Sequence, residues 1–205
     1  KRCLLAASFF LTVPLASTIA QLDPDAGEEI PVSVWRAVAG PSDPDCDIIG
    51  FPDILGSGVN RYRGNVYHFD FPTTLKEIQM ELAFSGLTDL HVAIHQKQPN
   101  GTYTRYLDLP DVVILQAEGL GAGFSRFYST AEAIPPMSEV VLEENFDYAI
   151  AFAWGSKTIT YGRDAQSYDP PVPFRAGGIL GLVAVNFSPP LDPLVPETFP
   201  EFLIF

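Results

Sequence analysis

Large apolar side chains recur at every second position over short stretches of this chain, and Gly, Pro, Asn and Asp interrupt them too often for helices. The clearest stretch is Asp147 to Trp154, where Tyr148, Ile150, Phe152 and Trp154 fall on one side and Ala149, Ala151 and Ala153 on the other. The large set is expected in the core. Asn65 to Phe71 groups Tyr67, Phe69 and Phe71, and Leu75 to Phe84 groups Ile78, Met80, Leu82 and Phe84; both predict half-buried antiparallel strands. Leu90 to Gln96 predicts another, ended at Gln96-Lys97-Gln98-Pro99-Asn100-Gly101, where Asn-Gly tolerates positive φ and marks a hairpin turn. Further strands are expected at Ile30–Val38, Tyr103–Leu107, Val112–Gln116, Ser125–Ser129, Val140–Leu142, Thr158–Tyr161, Ile179–Phe187 and Glu201–Phe205. About ten short strands with closely spaced turns predict an all-β fold, an antiparallel two-sheet sandwich of jelly-roll-like form.

The first residues break this pattern. Lys1 and Arg2 precede an uncharged run from Cys3 to Ala20 that ends in small residues, which predicts a secretory signal peptide over residues 1–20 cut before Gln21. The remainder, 21–205, is then a single β-sandwich domain, secreted or in the periplasmic or extracellular space. Leu4 to Leu15 is short for a span and contains Pro14, and no later stretch approaches the roughly 20 apolar residues of a membrane helix. No membrane span is expected after cleavage. Within the domain Gln21–Glu29 is acidic and small, and the Pro-rich segment 188–200 lacks the backbone donors of a central strand. That segment is expected to be an extended crossover or tether delivering a final strand at Phe202–Phe205.

Charge narrows the choice of partners. Twelve Lys and Arg stand against twenty-five Asp and Glu, and loss of Lys1 and Arg2 takes the formal charge from −13 to −15. Nucleic acid is excluded by sign, because the nearest approach to a basic cluster is Arg61 and Arg63 flanking Tyr62. Cys3 leaves with the signal and Cys46 remains alone, so a monomer without an intramolecular disulfide is expected.

Candidate chemistry is sparse. His91 and His95 share an outward strand face but lie four residues of extended chain apart, roughly 13 Å, too far to share a metal ion. Both are expected to be solvated. His68 and Asp70 also share an outward face and form the least implausible catalytic pair, without a Gly-x-Ser-x-Gly elbow to supply a nucleophile. Asp43, Asp45, Asp47 and Asp53 have spacing that lets hard oxygens meet on calcium, yet Ile48 and Ile54 stand where an EF-hand needs Gly and Glu. A solvated acidic loop is expected there, a looser calcium site being the alternative. Gly119 to Gly123 has no helix or Lys-Ser/Thr after it and reads as a loop or bulge. Glu143 and Glu144 adjoin without a partner carboxyl across a recognisable cleft. Tyr62, Tyr103, Tyr106, Tyr128, Tyr161 and Tyr168 lie near loops or strand ends, where rings can stack on sugars or proteins but more often fill core and rim. Asn100-Gly101-Thr102 and Asn186-Phe187-Ser188 match the glycosylation pattern. No catalytic, cofactor-binding or metal residue is nominated.

The run from Gly58 to Phe69, with Thr73 to Ile78 and Asn145 to Trp154, resembles exported bacterial β-sandwich domains of cell-surface proteins, broadly of the prepeptidase C-terminal and galactose-binding-like type. The likeness spans roughly residues 58–187 and rests on turn and strand patterns, so it implies a sandwich and transfers no catalytic position. Without a sorting helix or basic tail, a free secreted or periplasmic form is expected. The functional expectation is a non-catalytic binding or scaffolding module with a glycan or protein ligand; the alternative is an exported hydrolase acting on polysaccharide or ester.

Overall fold

The computed structural model describes residues 32–34, 47–49, 54–106, 112–163, 168, 170–174, 176–186 and 195–200. The signal segment, Cys46, Asp43, Asp45, Asp53 and the final strand at 202–205 lie outside the described residues.

The fold is all-β. In chain order the strands are β1 (Val32–Val34), β2 (Asp47–Ile49), β3 (Ile54–Gly58), β4 (Arg61–Phe69), β5 (Thr73–Leu75), β6 (Ile78–Lys97), β7 (Thr102–Arg105), β8 (Val113–Ser129), β9 (Val140–Leu142), β10 (Asp147–Trp154), β11 (Ile159–Arg163), β12 (Val172–Phe174), β13 (Gly177–Asn186) and β14 (Thr198–Pro200). Twelve form one large curled sheet and β5 pairs with β9 in a small second one. Pairing is antiparallel except where β1 lies parallel to β2 and β6.

Strands β9 and β10 fall where the alternation places them, and the hairpin turn before β7 has Gly101 at φ 80°. Two pairs of expected strands are merged. The expected strands at Leu75–Phe84 and Leu90–Gln96 belong largely to one strand of 20 residues, β6, and Val112–Gln116 and Ser125–Ser129 to one of 17, β8. Gly86, Thr88 and Asp89 have turn composition, yet pairing between β6 and β8 runs straight through them, from Gln79 opposite Ser129 to Val92 opposite Val113. The reason is the Gly119 segment, which forms the anticipated bulge. Ser85 faces Leu120 and Ala83 faces Ser125, so four residues of β8 stand opposite Phe84. Gly121 and Gly123 take φ of 113° and 84° there, a left-handed conformation that glycine adopts without strain.

On the other side of β6, β11 pairs near Leu82 and β10 pairs from His91 to Gln96, with no pairing between them among the described residues. The sheet therefore narrows around residues 84–90 to a ribbon of β6 and β8. Even-numbered β6 side chains face the main core, where Ile78, Met80, Leu82, Leu90 and Ile94 join Tyr67, Phe69, Tyr148, Ile150, Phe152 and Trp154. Leu75, Val140 and Leu142 of the small sheet close this core.

The alanine face of β10 is buried as well. Ala149, Ala151 and Ala153 pack with Tyr62, Val66, Ala93 and Val183 under Val195 and Phe199. Part of the proline-rich segment is thus a strap, residues 195–200, that includes β14 and pairs antiparallel with β7. The segment is extended, as expected, but packs as part of the fold instead of merely crossing it: Pro200 closes a strand on the sheet's edge, where a residue without an N–H is tolerated. Gly64 of β4 is obligatory beneath this layer, because a Cβ there would stand 2.0 Å from the Ile150 carbonyl oxygen.

Candidate functional site

The face that carries the strap is one continuous surface with distinct ends. At one end, cross-strand register sets His68 of β4 opposite Asp147 of β10. His68 Nδ1 lies 2.8 Å from Asp147 Oδ1, and Lys97 Nζ of β6 lies 3.6 Å from Asp147 Oδ2. Asp70, the partner expected from the sequence, is 3.9 Å from His68 Nε2 and more than half exposed. The carboxylate that orients His68 is therefore Asp147. Its position on the small-residue side of β10 is readable, but its meeting with His68 depends on a register across 79 residues of sequence. A carboxylate on Nδ1 holds an imidazole with Nε2 turned outward, as a general base requires. The two carboxylates within 4 Å of the His68 ring nitrogens are Asp147 and Asp70, and neither is a nucleophile for hydrolysis in the serine or cysteine sense.

The middle of the face belongs to the strap. His95, expected in solvent, is fully buried: the Tyr62 hydroxyl donates to its Nδ1 at 2.8 Å, and its Nε2–H donates to the Pro196 carbonyl at 2.8 Å. Phe199 stacks on Tyr103 with centroids 5.2 Å apart and meets the rings of His95 and Tyr62 edge-on. Burial pushes the His95 imidazole down to about 4, opposed by the Pro196 hydrogen bond and assisted by Arg105. Burial also raises the Tyr62 phenol far above its ordinary range. His91 is half-buried and lowered by burial, with Asp89 opposing. Its separation from His95 along the strand stands as expected; the solvation of His95 does not, because its cover lies a hundred residues away.

The tyrosines near strand ends mostly fill the core, and the alternative of rings free to stack on a ligand fails for four of the six. Tyr62, Tyr103, Tyr128 and Tyr161 are buried, Tyr128 stacking on Phe84 at 4.9 Å. Tyr106 and Tyr168 are half-buried against the main core. Arg63 is buried too; Nε donates to Tyr161 Oη at 2.9 Å, Nη1 to the Val185 carbonyl at 2.6 Å, and Nη2 to Asn186 Oδ1. It ties β4 to β11 and β13 rather than serving as half of a basic patch.

The ribbon forms the other end. Its outward side chains are Ser85, Leu87, Asp89 and His91 from β6 and Leu120, Glu118, Gln116 and Ile114 directly opposite. Leu87 is 72% exposed, Leu120 60% and Ile114 47%, while Phe124 stands out of the bulge at 65%. Large apolar residues left this open on a folded chain mark a contact surface more often than scattered single ones do. Leu87 and Asp89 fall between the two strands expected from the sequence, and the structure sets them on the same outward face as His91.

Among the described residues, no three His, Cys, Asp or Glu side chains gather where a metal ion would sit. No helix among them is long and apolar enough to cross a membrane. No protein-family model matches the chain, and no curated protein or solved structure matches it either.

Proposed function

We propose that this chain is a non-catalytic binding or scaffolding module, exported and acting at the cell surface or outside the cell, with a sandwich-like β architecture as its frame. The observation that carries the reading is the ribbon face, where Leu87, Ile114 and Leu120 are exposed on paired backbone, with Phe124 exposed on the bulge beside them. A two-layer frame is supported by packing of the β5–β9 sheet over the main core. A polypeptide ligand suits this face better than a glycan, since the tyrosines that would stack on sugars are mostly taken up in packing.

One observation favours a hydrolase instead: the 2.8 Å contact of Asp147 with His68. The two readings part under a single experiment. The purified protein is expected to show no turnover on ester, glycoside and peptide substrate panels, and His68→Ala is expected to shift its melting temperature by no more than a few degrees, because one part-buried side-chain hydrogen bond contributes about 0.5–1.5 kcal/mol. Turnover of one substrate class, abolished by His68→Ala with the melting curve kept, would establish the hydrolase.

A further inference from the structure

We propose that the outer edge of β8 between Val113 and Leu120 accepts an added strand from a partner protein, an extended segment in which basic and apolar residues alternate. The inference rests on the binding-module reading and names the partner's chemistry.

The backbone makes the first argument. Among the described residues β8 pairs with β6 alone, so no strand among them occupies the far side of Val113 to Leu120; within that stretch the Glu118 carbonyl accepts the Tyr128 hydroxyl at 2.9 Å and keeps one lone pair for a further donor. Such an edge is a template for strand addition. The ribbon's other side is less open: the loop after β10 brings Lys157 Nζ to 3.6 Å from where a Cβ on Gly86 would stand. The bulge at Gly121 to Phe124 ends the flat stretch and prevents pairing from running the length of β8.

Side chains make the second argument. An added strand would place one set of residues beside Val113, Leu115 and Ala117, which already face the core. Its other set would lie beside Ile114, Gln116, Glu118 and Leu120, with Leu87 and Asp89 one strand further. Apolar residues satisfy Ile114, Leu120 and Leu87. Lys or Arg satisfies the exposed carboxylates of Glu118 and Asp89, since opposite charges across a strand pair attract and like charges repel.

Charge selects among occupants. The chain carries a formal −13, so a second copy added through the same edge would bring like-charged surfaces together, and an anionic lipid surface would be repelled. A cationic segment gains from both the local carboxylates and the overall field.

The probes are two peptides of about nine residues, matched to a common strand length, one alternating Lys with Val and the other Glu with Val. Binding to the full chain is measured by fluorescence anisotropy, and the contact is located by amide hydrogen exchange. The Lys peptide is expected to bind with new protection at Val113 to Leu120, and the Glu peptide to bind at least about tenfold more weakly. Glu118→Lys should weaken the Lys peptide at least about tenfold, whereas Glu144→Lys, an equal charge change at an exposed turn, should weaken it by less than about twofold. Melting curves of both variants confirm that they fold. Equal losses from the two variants, protection elsewhere, or no binding of the Lys peptide would overturn the proposal. Capture of a glycan by the same protein would preserve the binding-module reading while this edge failed; turnover that depends on His68 would remove the reading itself.

Discussion

Replacing Trp154 by Ala is expected to destabilise the protein by about 3–5 kcal/mol. The indole is fully buried, meets the Tyr161 ring at 5.5 Å, and donates from Nε1 to the Gly58 carbonyl at 2.9 Å. Truncation opens a void at the end of β10 and leaves that carbonyl without its donor. The loss is a large share of the roughly 5–15 kcal/mol available to a domain, so the melting transition should fall by several degrees or more. Phe152→Ala is expected to act comparably, because Phe152 is equally buried in the same cluster. Melting temperatures within a degree or two of the parent protein would contradict the packing of β10.

Acid should weaken the fold through His95. Its folded value of about 4 lies below the ordinary 6.5, so above pH 6.5 the imidazole is neutral whether the chain is folded or not and the contribution is complete. Below pH 6.5 the unfolded chain takes up a proton that the folded chain refuses. Stability is lost progressively until about pH 4, and the total is on the order of 3 kcal/mol. Protonation turns Nδ1 from an acceptor into a donor and so reverses its bond with Tyr62. Denaturant titrations at about pH 7 and about pH 4.5, repeated on His95→Gln, isolate this residue from the carboxylates that titrate nearby. The parent protein should lose more stability between the two conditions than the variant. An equal loss in both would show that His95 is not held neutral by the strap.

What the sequence makes legible follows the range of the forces involved. Strand β10 stands out because Tyr148, Ile150, Phe152 and Trp154 alternate with alanines, a local pattern that needs no knowledge of the partner strands. The ribbon is obscure for the opposite reason. Its outward face carries Ser85, Leu87 and Asp89, so alternation fails where β6 is exposed, and Gly86 and Gly119 imitate turn residues. The candidate charge cluster is half legible. His68 stands out as one of three histidines, but Asp147 reaches it through a register that no short pattern encodes. His95 is obscure in the same way, since nothing near it in sequence reveals that Pro196 and Phe199 lie over it.

The strap also imposes an order in time. His95 and Pro196 are separated by 101 positions, and the Tyr103–Phe199 stack completes the same layer. A chain that emerges from a ribosome N-terminus first exposes Tyr62, Ala93 and His95 long before residues 195–200 are free to cover them. The face therefore closes only after residues 195–200 have emerged, and until then the enclosed state of His95 does not exist.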